Sequence, residues 1–209
     1  RLLNVFYGII PNYGIAIILL TLVMKLITMP LTIKQLRSTR EMQKHKPEID
    51  AICVKYRANP QKRQQELMAY YAKQGINPFS PMFGCFTMIL QMPVFIGLFV
   101  VLGRAVELRN APFFGWIRDL SAPDIVIEAL RIPFVMPQGI AVLPFIMAFT
   151  TWLQTKQTIT DPNQKAMIWM MPVMMLLFSS VMPSGLIVYW IVSNVFFIIQ
   201  YWAMTSRQK

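Results

Sequence analysis

Five long blocks of this sequence carry almost no charge, and they constrain the fold more than anything else in it. They lie at about 13–29, 83–103, 139–155, 167–182 and 186–205 and consist mainly of Ile, Leu, Val, Met and Phe. A helix needs about 20 mostly apolar residues to cross about 30 Å of hydrocarbon. In lipid every backbone polar group must also be bonded within its own segment, which a helix achieves. The blocks predict an all-α membrane protein with five transmembrane helices. Charged residues are only 14% of the 209, against roughly 25% in a soluble domain. At about 1.5 Å per residue the 167–182 block reaches only about 24 Å. Either its ends extend further or the bilayer thins there.

The net charge of +11 raises the question of a nucleic-acid partner, and its distribution answers it. Lys34, Arg37, Arg40, Lys44, Lys46, Lys55, Arg57, Lys62, Arg63 and Lys73 lie between the first two blocks. Lys156 and Lys165 lie between the third and fourth, and Arg207 and Lys209 follow the fifth. With five spans, all of these fall on one side. The connection at about 104–138 falls on the other, where Glu107, Asp119, Asp124 and Glu128 balance its arginines. Lys/Arg excess marks the cytoplasmic side, so the N-terminus is expected outside and the C-terminus in the cytoplasm. No specific nucleic-acid partner is then needed.

The polar segment at about 31–80 has helical periodicity of its own. Ile49, Ile52, Cys53 and Tyr56 recur at helix spacing, as do Leu67, Met68, Tyr70 and Tyr71. Arg57-Ala58-Asn59-Pro60 reads as a turn, with Pro60 suited to open the second helix. A cytoplasmic helical hairpin is expected, either lying on anionic headgroups or acting as a docking arm. Outside, Phe113-Phe114-Gly115-Trp116-Ile117-Arg118-Asp119-Leu120 interleaves aromatic and charged residues, as a surface anchor would. The chain does not start with Met and shows no signal-peptide layout; it reads as part of a longer protein.

Few residues suit chemistry. Cys53 and Cys85 form no paired motif, and the single histidine, His45, sits among lysines as a solvated surface residue. No nucleotide loop, metalloprotease motif or hydrolase elbow occurs. An enzyme is not expected, nor a cofactor. Lys25 stands apart because it lies inside the first block, where a central lysine costs about 2.5–3.5 kcal/mol to insert. Two readings of it stand. Its stem snorkels to the headgroups, five residues from Pro30, or it faces a hydrated cavity and attracts a polar guest. Gln91, Ser193, Asn194 and Gln200 can line such a cavity or serve as interhelical glue. No acid occurs within any block, which argues against a cation-coupled transporter. The sixteen methionines fill a lipid-facing surface or suit one that accepts many apolar partners.

A family resemblance rests on a series of short motifs in fixed order. They are Met29-Pro30-Leu31-Thr32, Asn77-Pro78, Gln91-Met92-Pro93-Val94-Phe95, Val106-Glu107-Leu108-Arg109 and Trp116-Ile117-Arg118-Asp119-Leu120-Ser121. Thr160-Asp161-Pro162, Met171-Pro172, Pro183-Ser184-Gly185-Leu186 and Ile191-Val192-Ser193-Asn194 complete the series. On this topology the chain resembles the YidC/Oxa/Alb membrane protein insertases along nearly its whole length. The resemblance implies a single five-helix core over 1–209, built around a hydrophilic groove that is open to cytoplasm and lipid and closed outside. It puts Lys25 where the family usually carries a groove arginine. Lysine keeps the charge and loses the planar fork. It further implies a substrate groove of Lys25, Gln91, Tyr189, Trp190, Ser193 and Asn194. Clients would be recruited by Arg37, Arg40, Lys44, Lys46, Lys55 and Arg57. The implied partners are nascent membrane proteins, the ribosome and membrane lipids, with a Sec translocon left open, in a bacterial inner membrane. The competing reading is a transporter or channel using Lys25 as an anion site, or a structural subunit inactive alone.

Overall fold

The computed structural model describes residues 2–76, 82–104, 111–127, 139–159 and 165–206. The described residues form helices α1 (Leu2–Ile9), α2 (Tyr13–Lys44), α3 (Lys46–Lys55), α4 (Pro60–Gln74), α5 (Met82–Arg104), α6 (Leu143–Thr158), α7 (Met167–Ser179) and α8 (Ser184–Ser206). One isolated antiparallel bridge joins Ile127 and Ile140. The fold is all-α. The Asn77-Pro78, Val106-Glu107-Leu108-Arg109 and Thr160-Asp161-Pro162 motifs lie outside the described residues.

Polarity in the bundle runs the opposite way from that of a soluble protein. Phe149, Trp169, Val173, Phe178, Ile199 and Trp202 are exposed, while Thr21, Gln35, Ser193, Asn194 and Gln200 are buried. So large an exposed apolar surface aggregates in water, whereas in lipid it is the surface with no cost. Both α2 and α8 are long and apolar enough to cross a bilayer. Described apolar stretches in α5 and α7 are shorter. At about 1.5 Å per residue α7 extends only about 20 Å, because turns close it at both ends. Its ends do not extend the block as one expectation had it.

Two boundaries differ from the sequence reading for identifiable reasons. The first helix does not stop near Pro30 but runs on to Lys44. Pro30 faces outward, and around it the Thr28 hydroxyl donates to the Met24 carbonyl (3.0 Å) and that of Thr32 to the Thr28 carbonyl (3.1 Å). The carbonyl that a proline at 30 leaves without its helix donor is that of Leu26; the threonine bonds add to the turns on either side of it. The third block begins its helix at Leu143 rather than 139. Asp124 accepts bonds from the amides of Val142 (3.0 Å) and Leu143 (2.8 Å) and so fixes the start there.

At one end of the bundle, Asn12 caps α2 by accepting from Gly14 N (2.9 Å) and Ile15 N (3.1 Å). Its amide also donates to the Phe113 carbonyl (3.1 Å). The Phe113 ring occupies the space a side chain at Gly14 would need. Gly115, at φ 63°, turns the chain so that Phe114 and Trp116 point out while Ile117 and Leu120 are buried. The expected amphipathic element is therefore a tight turn, not a helix. Residues 119–122 then bond the start of α8. Ser184 N donates to Ala122 O (2.8 Å), Gly185 N to Leu120 O (2.9 Å) and Ser184 Oγ to Asp119 O (2.7 Å). The close α7–α8 connection is made by residues 180–183, with Ser184 and Gly185 already in the first turn of α8.

At the other end α3 and α4 form the hairpin. Asn59 accepts from Lys62 N (3.1 Å) and Pro60 opens α4, while Gly75 at φ 67° ends it. Ile49 and Cys53 pack on Leu67, Tyr71 and Ile76, together with Met42 from α2. The hairpin therefore rides on the end of α2. His45 is half-buried and its Nδ1 lies 2.9 Å from the Tyr70 hydroxyl, so it is a joint between α2 and α4 and not a solvated surface residue.

Candidate functional site

Helix α2 buries one narrow face. Thr21, Thr32, Gln35 and Thr39 are buried on it, with Lys25 and Thr28 half-buried between them. Their spacing alternates four and three residues, which keeps them in one line along a helix. Val23, Leu26 and Ile27 lie opposite and are exposed. This polar line was not singled out from the sequence, although the 4-3 spacing of its threonines carries the signal. A threonine in a helix bonds its own carbonyl ladder, as Thr21 does to Ile17 O (2.7 Å). The line is thus polar without needing partners across the bundle.

Lys25 lies about 18 Å along the helix from Tyr13 and about 13 Å from Lys34, the next cation on α2. The total, about 31 Å, matches one hydrocarbon thickness. Snorkelling past Pro30 relied on the helix ending there; with α2 continuous, a lysine stem covers only part of the remaining depth. The α2 and α8 helices run parallel, since Ile17 packs at Gly185 and Arg40 meets Tyr201 and Met204. At equal rise, Lys25 stands level with Ile191 to Ser193. No partner of the described residues is bonded to its ammonium.

The other expected groove residues divide into two groups. Gln91 of α5 donates to the Tyr189 hydroxyl, and Phe95 sets its edge against Trp190 with ring centroids 5.6 Å apart. Tyr189 is fully buried while Trp190 is half-exposed. These four join α5 to α8. Asn194 is turned elsewhere: its amide donates to Thr150 (3.3 Å) and Thr151 (3.0 Å) of α6, both buried. It therefore serves as the interhelical glue that the sequence allowed. Ser193 is buried between the two groups. Further along, the Gln200 side-chain nitrogen is buried with no acceptor among the described residues.

The basic residues expected to recruit clients also separate. Arg37, Lys44, Lys46, Lys55 and Arg57 are exposed, with the Lys55 ammonium 5.3 Å from the centre of the Tyr56 ring. Arg40 is engaged in the bundle. Its guanidinium donates to Met204 O (2.7 Å), to Tyr201 O (3.3 Å) and to the Thr205 hydroxyl. Lys165 pairs with Asp50 of the hairpin at 3.6 Å. That exposed contact contributes little by itself. No group of three or more His, Cys, Asp or Glu that could hold a metal ion occurs among the described residues.

Comparison with known proteins agrees with the all-α fold. The family model described as 60Kd inner membrane protein matches residues 5–209. Membrane protein insertase YidC of Caulobacter vibrioides is 39% identical, covering 100% of this chain and 36% of that protein. The protein of the same name from Syntrophobacter fumaroxidans is 43% identical over 96% of this chain and 36% of its own length. A crystal structure of an active YidC insertase with its first transmembrane domain resolved superposes with a TM-score of 0.70 at 29% identity. It covers 95% of this chain and 42% of that one. The chain spans about a third of the length of the curated relatives it matches.

Proposed function

Because the chain belongs to the 60Kd inner membrane protein family, we propose that it forms the core of an insertase that moves nascent membrane proteins from the cytoplasm into the bilayer. The observation that carries this reading is the polar line on α2, with Lys25 at mid-depth, inside a bundle with an apolar exterior. In this reading the spanning helices are α2, α5, α6, α7 and α8, with the 111–122 turn outside and the hairpin and the end of α8 in the cytoplasm.

The chemistry follows from solvation. Lys25 and the threonine hydroxyls hold water within the membrane and lower the cost of bringing in a short polar or acidic tail. The client's apolar segment then passes between α2, α5 and α8, along Trp190, into lipid. Burying it releases roughly 25 cal/mol per Å² of apolar surface, so no nucleotide is required. A membrane potential adds about 2.3 kcal/mol per charge per 100 mV on an acidic tail drawn outward. The exposed amines of the hairpin offer the first contact to the client or the ribosome.

The test is insertion of a small single-span client into liposomes holding the intact protein, without ATP. Lys25→Arg keeps the rate. Lys25→Ala lowers it roughly tenfold, equivalent to about 1.4 kcal/mol, while melting no lower than wild type because a costly buried charge is gone. Insertion indifferent to Lys25 returns this residue to a passive place in the membrane. Wild type indistinguishable from empty liposomes overturns autonomous insertion altogether.

A further inference from the structure

Arg40 stands among the basic residues of the 31–80 segment, yet it faces the bundle. Its guanidinium reaches the main-chain carbonyls of Tyr201 and Met204 and the hydroxyl of Thr205, and lies 5.6 Å from the centre of the Tyr201 ring. Tyr201 and Met204 belong to the last turns of α8; the Met204 carbonyl is among the final four, which a helix leaves without a partner of its own, while that of Tyr201 also accepts from the Thr205 hydroxyl (2.8 Å). A cation is favourable at that end of a helix. A fork of donors meets several acceptors at once where a lysine meets one.

A second contact lies one turn along α2. The Gln43 amide donates to Gln157 O of α6 (2.7 Å), and its oxygen accepts from the Tyr201 hydroxyl (2.9 Å). Two residues further on, the chain reaches the His45–Tyr70 joint. Met42, between Arg40 and Gln43, is buried in the hairpin's own core. Arg40, Met42, Gln43 and His45, at the end of α2, therefore alternate between holding the bundle and holding the hairpin.

We propose that Arg40, backed by Gln43, is a latch that clamps the cytoplasmic extension of α2 onto the C-terminal turn of α8 and so sets the position of the hairpin over the bundle. Arg40 is a positioning residue and not a client-binding one. Because the hairpin core includes Met42, freeing Arg40 and Gln43 lets the hairpin swing as a unit without unfolding. The same helix carries Lys25, so the latch also fixes how the cytoplasmic half of the polar line meets α8. This last consequence rests on the insertase reading; the latch does not.

The test measures hairpin position directly. Spin labels at Gln65→Cys on α4 and Phe149→Cys on α6, both exposed, are introduced with Cys53→Ala and Cys85→Ala into the full-length protein in lipid nanodiscs. The wild-type latch gives one narrow distance distribution. Arg40→Met, which keeps the stem and removes the donors, gives a distribution roughly twofold broader as the docked state yields to a mixture. Arg40→Lys restores part of the narrowing. Should Arg40→Met not fold, Gln43→Ala reports on the same latch and is expected to broaden the distribution less. Unchanged distributions in the folded variants overturn the latch. A broadened distribution with an unchanged insertion rate in liposomes confines it to hairpin position and overturns its link to the groove. Failure of wild type to insert overturns the insertase reading and leaves the distance result to decide the latch.

Discussion

Gly185 sits where α2, α5, α8 and the 111–122 turn meet, and replacing it by alanine gives a prediction with little freedom. An added Cβ lies 2.9 Å from Leu102 Cδ2, 3.0 Å from the Leu120 carbonyl oxygen and 3.2 Å from Ile17 Cδ1. Heavy atoms in good contact sit about 3.5–4.0 Å apart, so three neighbours must each retreat by several tenths of an ångström. Leu102 and Ile17 are fully buried and have little room. The Leu120 carbonyl is held by the Gly185 amide itself at 2.9 Å, so retreat weakens that bond. Overpacking of this kind costs about 1–3 kcal/mol. Alanine returns up to about 1 kcal/mol through helix propensity, less here because Gly185 is in the first turn. The net loss is then about 1–2 kcal/mol. At about 2–4 °C per kcal/mol for a chain of this size, the midpoint falls by about 2–8 °C. Thermal unfolding in one detergent, followed by tryptophan fluorescence, measures it, and Gly185→Val should fall further. An unchanged or higher midpoint for Gly185→Ala would falsify the tight junction between α2, α5, α8 and the outer turn.

Two other stability effects are expected in the same assay. Asp124→Ala removes the acceptor of two α6 amides and should cost about 0.5–2 kcal/mol; Asp124→Asn should recover most of it, and an alanine variant as stable as wild type would deny Asp124 its capping role. Asn194→Leu deletes the bonds to Thr150 and Thr151, each about 0.6 kcal/mol on average between membrane helices. A cycle with Thr151→Val should therefore show coupling, and strict additivity would mean the contact contributes nothing.

Much of this architecture is legible in the residues because lipid leaves few alternatives. The hairpin was readable from the spacing of Ile49, Ile52, Cys53 and Tyr56 and of Leu67, Met68, Tyr70 and Tyr71; of these Ile49, Cys53, Leu67 and Tyr71 form its buried core, Ile52 and Tyr70 pack against it, and Met68 is exposed. A break near Pro183-Ser184-Gly185 was equally plain, though the turn itself lies at residues 180–183 and Ser184 and Gly185 begin α8. Other features depend on what a side chain meets, which composition does not carry. Pro30 looks like a stop, yet α2 carries it on an exposed face and runs on to Lys44. Arg40 is indistinguishable from Arg37 in a list of cations; only the parallel run of α8 separates a clamp from a solvated charge. Asn194 and Ser193 are neighbours in sequence, yet Asn194 reaches α6. The threonine line on α2 is the reverse case, since its spacing was available and its meaning came only with Lys25 placed on it.

The outer junction has one more consequence. Two of its three bonds to the start of α8 run from main chain to main chain, and the third accepts at a main-chain carbonyl. Mutation of most side chains leaves such bonds in place. A protein that holds water half-way through a membrane risks leaking protons and dissipating the gradient the cell lives on. In the insertase reading, building the barrier from backbone makes its ion-tightness largely independent of which amino acids surround it, so the polar interior would be free to vary with its clients while the permeability barrier stays fixed.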